Sequence, residues 1–213
     1  TAKWQVMDDL TLPADEVAVD CFPCAYPHPK THQPQITVVS TAISRLRAIQ
    51  ALCHQAHLNL VNVSIPELAC CQLMNSLPIP HQTCALIRWL PFGGQILYFQ
   101  DQELAMLGML PKLTQPIHDS QADTFLLAVH HSLQHWQQIA VGGDAETLPI
   151  ILTPLGDSSA LEANDSALTW LKEHIKNPLS LLDIRPLLVD NELINKLDYQ
   201  KGLGVLGGVL DVS

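Results

Sequence analysis

The stretch that decides the fold runs Thr83-Cys84-Ala85-Leu86-Ile87-Arg88-Trp89-Leu90, then Pro91-Phe92-Gly93-Gly94, then Gln95-Ile96-Leu97-Tyr98-Phe99-Gln100, then Asp101-Gln102, then Glu103-Leu104-Ala105-Met106-Leu107-Gly108-Met109-Leu110. Three short apolar runs are separated by two clusters of turn residues. The pattern predicts strands over Thr83–Leu90, Gln95–Gln100 and Glu103–Leu110, folded back on one another as an antiparallel meander. Downstream, Phe125, Leu126, Val129, Leu133 and Trp136 recur at helical steps and predict a long amphipathic helix over Asp119–Ile139. A strand over Leu148–Thr153 follows, then a helix over Asp165–Ile175 capped by Asp165 or Ser166, a strand over Leu179–Ile184, and a glycine-interrupted closing helix in the tail Gly202–Leu210. The order is β-β-β-α-β-α-β. A meander followed by helical crossovers implies one mixed sheet with helices on its faces.

Upstream the order differs. Trp4–Leu10 reads as the last turns of a helix ended by Pro13, and Glu16–Tyr26 and Gln35–Ser40 flank a Pro/His turn as an antiparallel pair. Thr41 or Ser44 is placed to cap a helix carrying Ile43, Leu46, Ile49, Ala51, Leu52 and Cys53 through about Ala56. Leu58–Val63 reads as a short strand. Ser64-Ile65-Pro66-Glu67 opens another helix, with Pro66 in its first turn and Glu67 placed to close a capping box. That helix carries Leu68, Cys71 and Leu73 and ends before Pro78. The change of pattern after Pro80 divides the chain into 1–80 (β-β-α-β-α) and 81–213.

The 213 residues carry 11 Lys and Arg against 21 Asp and Glu, a net charge of −10 with His neutral. Charged residues make up 15% and apolar residues 47%, the reverse of a disordered chain. The acidic balance excludes nucleic acid as a partner, since phosphate contacts need clustered Lys and Arg. No uninterrupted apolar run approaches the roughly 20 residues needed to span a bilayer. Thr1-Ala2-Lys3-Trp4 is no secretory leader. It opens inside a helix-like pattern, so the expectation is a piece of a longer protein.

The six cysteines, Cys21, Cys24, Cys53, Cys70, Cys71 and Cys84, fit small buried hydrophobes in a reducing compartment better than a disulfide framework. Cys21, Cys24, His28 and His32 could supply two thiolates and two imidazoles to zinc. Strand alternation, however, sends Cys21 and Cys24 to opposite faces unless Pro23 breaks the run, so a plain strand and turn ranks above a metal or redox site. His131 and His135 are spaced i, i+4 but lack the Glu of an H-E-x-x-H site. With His130 they read as a solvated or interfacial helix face. Trp89 and Trp136 read as core or interface anchors, and Gly93-Gly94 as a hairpin turn. Within the meander the carboxylates are Asp101 and Glu103, both at a turn, too few for a two-metal nuclease.

Four stretches in this order carry a resemblance. They are Trp4–Asp20, Val61-Asn62-Val63-Ser64-Ile65-Pro66-Glu67-Leu68-Ala69, Ala128-Val129-His130-His131-Ser132-Leu133-Gln134-His135-Trp136, and the tail Tyr199–Gly208. Together they resemble the actin-like proteins of type IV pilus and type II secretion assembly platforms, above all the members serving MSHA (mannose-sensitive haemagglutinin) pili. The resemblance implies an α/β fold of mixed sheets, actin-like or ribonuclease H-like, in two lobes of which the first, 1–80, is incomplete at its start. It further implies a non-enzymatic cytoplasmic platform at the inner membrane, attached through a segment outside this chain. Its partners would be an assembly ATPase and inner-membrane platform proteins. A homodimer is one option, and the oligomeric state stays open. The nucleotide elements of ATP-binding relatives are degenerate: Arg88-Trp89-Leu90 stands where a phosphate loop would carry a carboxylate for magnesium, and Thr153-Pro154-Leu155-Gly156-Asp157 keeps one glycine of a Gly-Gly turn. The expectation is therefore no cofactor and no ATPase activity, the alternative being an active actin-like ATPase.

Overall fold

The computed structural model describes residues 12–24, 27, 33–79, 83–90, 92–112, 119–140, 147–154 and 161–187, the backbone alone at 119–120 and 161–166. Two expected helices, Trp4–Leu10 and the closing tail, lie outside these residues. The chain divides into two compact units, Thr1–Val63 and Ser64–Ser213.

In the first unit a 3-10 turn, Ala14–Glu16, leads into β1 (Val17–Pro23) and β2 (Ile36–Ala42). They pair antiparallel from Val17 opposite Ala42 to Pro23 opposite Ile36, as the alternation predicts. Helix α1 (Ile43–Gln55) follows without a loop. Its N-cap is Ala42, with no side-chain hydrogen bond, so neither Thr41 nor Ser44 caps it: β2 runs straight into the helix and Thr41 is still paired, opposite Ala18. Leu58–Val63 is not a strand. It joins neither sheet, and Leu58, Leu60, Val61 and Val63 stand exposed. A strand is held by its ladder and cross-strand neighbours, and β propensity without them does not suffice.

The second unit opens with α2 (Pro66–Ser76). Pro66 sits in the first turn, where its missing N–H costs nothing. The N-cap is Ile65 and the capping box does not form: Glu67 Oε1 instead accepts from Gln95 Nε2 at 2.9 Å. Strands β3 (Thr83–Leu90), β4 (Gly93–Gln100) and β5 (Glu103–Leu110) form the meander, α3 is Asp119–Ile139, β6 is Ile150–Leu152, α4 is Leu161–His174 and β7 is Leu179–Leu181. A second 3-10 turn, Arg185–Leu187, comes last among the described residues. Helix α4 starts four residues before Asp165, so Asp165 and Ser166 lie inside it rather than at its cap.

The sheet order is β5-β4-β3-β6-β7. The meander pairs antiparallel, whereas β6 and β7 lie parallel to β3. Central β3 is buried on both faces, as a strand between two helical layers must be. Ala85, Ile87 and Trp89 join Ile96, Tyr98, Leu110, Ile150 and Leu152 beneath α3 and α4. On the opposite face Cys84 and Leu86 join Leu97, Phe99 and Ile151 beneath Cys70, Cys71, Leu73 and Met74 of α2. Helix α2 thus packs with the second sheet, and the boundary between compact units falls at 63/64 rather than after Pro80.

Two aromatic pairs fix α3 on the sheet. Tyr98 and Trp136 stack with centroids 5.0 Å apart, and Trp89 stacks on Phe125 at 5.6 Å. The Tyr98 hydroxyl reaches Ser132 Oγ at 2.9 Å. The β4–β5 turn is made by Asp101 (φ 52°) and Gln102 (φ 68°), two left-handed residues where Asn-Gly is the usual choice. Helix α2 holds this turn down: Asn75 Nδ2 donates to the Gln102 carbonyl at 2.9 Å, and Cys71 Sγ reaches the same oxygen at 3.2 Å.

Candidate functional site

In open sheets with parallel strands, ligands favour the crevice beyond the carboxyl ends of adjacent strands whose connections leave in opposite directions. Here those strands are β3 and β6. The chain leaves β3 toward β4 on one side and leaves β6 through α4 toward β7 on the other. The candidate site is therefore the end of β3, Arg88-Trp89-Leu90, with Thr153 and Pro154 after β6. This is where the resemblance puts Arg88-Trp89-Leu90 in the place of a phosphate loop; Gly156 lies outside the described residues.

At the end of β3 the Arg88 and Trp89 side chains are engaged inside the fold. Trp89 is buried against Phe125 under α3. Arg88 points to the opposite face, where Nη1 lies 3.7 Å from Cys70 Sγ on α2. Its guanidinium is buried, and Nε has no hydrogen-bond partner. Directly across the ladder from Arg88 is Gln95, whose Oε1 is also buried and unpartnered while Nε2 binds Glu67. Thr153 ties the two strand ends together. Its N–H donates to the Ile87 carbonyl at 2.9 Å, and its Oγ1 accepts from the Trp89 N–H at 3.3 Å. Arg88, Trp89, Leu90, Thr153 and Pro154 include no carboxylate, so these positions offer no oxygen ligands of the kind magnesium needs.

Burial raises the Cys70 thiol pKa, partly opposed by the adjacent Arg88 charge. Cys71 is raised by burial, and Cys84 is pushed up to about 11 for the same reason. All three are kept as neutral thiols, the opposite of a reactive cysteine.

The other candidate residues are scattered. Cys21 is exposed on β1, while Cys24 is half-buried with Sγ 3.1 Å from Thr37 Oγ1; His28 and His32 lie outside the described residues. His130, His131 and His135 are exposed on α3. Asp101 and Glu103 sit at the end of the sheet opposite the candidate site. Among the described residues no three His, Cys, Asp or Glu side chains gather closely enough to hold a metal, and no helix is long and apolar enough to cross a membrane. The described residues also form surface clefts. One of about 440 Å³ is apolar, between the α2–β3 connection and β7, with Leu77, Ile79, Ile151 and Leu182 among its walls. Another, about 330 Å³, is lined by His130, Gln134, Gln137, His174 and Lys176.

Sequence reasoning missed Thr153 as the bond between strand ends, and the Glu67–Gln95 pair. Both follow from register, and the parallel pairing of β6 with β3 has no local sequence signal. A buried Gln opposite a buried Arg becomes visible only once β3 and β4 are aligned.

No family model matches the chain, and no curated protein matches it in sequence. Among solved structures it is similar to a PilM-PilN type IV pilus biogenesis complex, with a TM-score of 0.65 over 100% of this chain and 71% of that one, at 9% identity. The fold is therefore mixed α/β, as the order of elements and the meander predict, and it resembles the actin-like fold of that neighbour, as the resemblance implies.

Proposed function

We propose that the chain is a non-enzymatic platform domain for type IV pilus biogenesis, similar to the MSHA pilus biogenesis protein MshI. It would sit at the cytoplasmic face of the inner membrane, held there by a segment outside this chain. Its first lobe would be completed by polypeptide preceding Thr1. The observation that carries the reading is the filled end of β3. The fold offers a crevice beyond β3 and β6, yet Trp89 is stacked away under α3 and Arg88 is turned under α2. A position without carboxylates, whose side chains are used for packing, supports a scaffold over a phosphate-transferring site. The likeness to a PilM-PilN complex supports pilus assembly proteins as partners: an assembly ATPase and inner-membrane platform components.

Two measurements separate this from an actin-like ATPase. Titration calorimetry with Mg-ATP should give no heat of binding, and a saturable heat with turnover would favour the ATPase. Affinity capture with the assembly ATPase and membrane components of the same pilus system should enrich at least one of them. Enrichment of none would sink the scaffold reading.

A further inference from the structure

Strand β5 ends the five-stranded sheet, so one row of its backbone N–H and C=O groups has no strand partner among the described residues. Edge strands are ordinarily protected by lysine, proline, inward charge or a bulge. From Leu104 to Leu110 this one has no lysine, proline or charge, and its one irregularity lies at Ala105, leaving 106–110 regular. Leu107 and Met109, 48% and 64% exposed, lie opposite Leu97 and Gln95 on the α2 face of the sheet. We propose that β5 is a self-association edge, pairing antiparallel with β5 of a second copy of this chain about a two-fold axis at Gly108.

The register follows from the strand itself. Regular pairing of β5 with β4 is broken between Tyr98 and Phe99, with Tyr98 opposite Met106 and Phe99 opposite Leu104, so Ala105 is the extra residue of a bulge. At the other end Pro111 lacks an N–H. The regular stretch between them, residues 106–110, is centred on Gly108. A two-fold axis there sets the bulge of one copy against the proline of the other, where neither needs a ladder bond. It also sets Leu107 opposite the partner's Met109, and Met109 opposite the partner's Leu107. Directly opposed residues share a face, so these exposed side chains gather into one apolar cluster. Charge agrees with the register: the exposed Glu103 at one end of β5 and the exposed Lys112 just past the other are brought to the same end of the pair. A partner copy is favoured over an unrelated strand because the pattern is symmetric, and a two-fold interface requires self-complementarity.

The test is sedimentation of the 213-residue chain over a range of concentrations, with amide exchange measured alongside. The expected result is a mass rising toward twice that of the chain, with β5 amides slowing as concentration rises and β7 amides unchanged. Met109→Lys and Leu107→Lys alter exposed side chains, so their thermal melts should match the parent. Self-association of each should weaken about tenfold or more, because an ammonium replaces half of an apolar pair. Lys112→Glu should weaken it less, and Glu103→Lys added to Lys112→Glu should restore it. A monomer at every concentration overturns the proposal. So does a dimer that both lysine variants leave unchanged, or one whose slowed amides map to β7.

Discussion

Cys84 offers a quantitative test of how the sheet is covered. It lies on β3 beneath α2, in the cluster with Leu73 and Phe99, and burial raises its thiol from 9.0 to about 11. A folded-state pKa above the unfolded one means that the folded protein holds its proton more tightly. The contribution is complete below about pH 9 and is lost as pH climbs through 11. Each unit of separation is worth about 1.4 kcal/mol. The folded state should therefore lose on the order of 1 kcal/mol by pH 10 and roughly 2 kcal/mol by pH 11 through this one thiol. Other groups also titrate there, including Tyr98, whose phenol is raised by the same burial, so the comparison needs a variant that removes Cys84 alone. Cys84→Val keeps an apolar side chain of similar size. Urea unfolding of both proteins at pH 8, 9, 10 and 11 gives the difference directly. The parent should lose stability relative to Cys84→Val by the amounts above. If the two curves stay parallel from pH 8 to 11, then Cys84 is solvated and α2 does not seal this face of the sheet.

Three further outcomes follow from the packing. Trp136→Ala removes a 1% exposed ring and its stack on Tyr98 and should cost about 3–5 kcal/mol by denaturant titration, whereas Phe92→Ala, at a 94% exposed ring, should stay within about 0.5 kcal/mol of the parent. Thr153→Val leaves the Trp89 N–H buried without its Oγ1 acceptor and should cost about 1–3 kcal/mol, while Thr153→Ser should restore most of it. Replacing Asp101-Gln102 by Asn-Gly relieves two left-handed residues and should raise stability by about 1–2 kcal/mol; a loss there would mean that the side chains, and not the backbone, hold the turn.

The second sheet was legible because its signals are local. Strands β3 and β5 match their predicted limits, as does α3, since each has a periodic apolar pattern closed by turn residues. β4 begins earlier than predicted because Gly93 and Gly94 pair with Leu90 and Trp89 instead of forming the turn. The capping expectations failed at α1, α2 and α4 for different reasons. At α1 the preceding strand continues to the helix with Thr41 still paired, and α4 starts four residues before Asp165. Glu67 was read as a local cap, but its partner Gln95 lies 28 positions away. Leu58–Val63 failed differently. Its residues favour a strand, and the described residues supply no neighbouring strand to pair with it.

Arg88 supports the proposed scaffold reading through the way its side chain is packed. A guanidinium that bound phosphate beyond β3 would have to face the crevice, and strand alternation decides which way it faces. Trp89 takes the α3 side, filling it against Phe125, so Arg88 must take the α2 side, where it meets Cys70. Moving the guanidinium to the crevice would shift β3 by one residue and reverse every side chain on the strand. Ala85 and Ile87 would leave the core beneath α3, and Leu86 would enter it. Desolvating a charge with one thiol partner and an unpartnered Nε is costly, and the surrounding cores must outweigh it. The chain thus keeps a buried arginine at the end of β3. Pairing between β3 and β6 is secured by Thr153, a residue that holds the strand ends together and whose hydroxyl and N–H are both committed to β3. That arrangement leaves the edges and helix faces of the sheet for partners, and among the described residues β5 is the edge with the apolar run Leu104–Leu110.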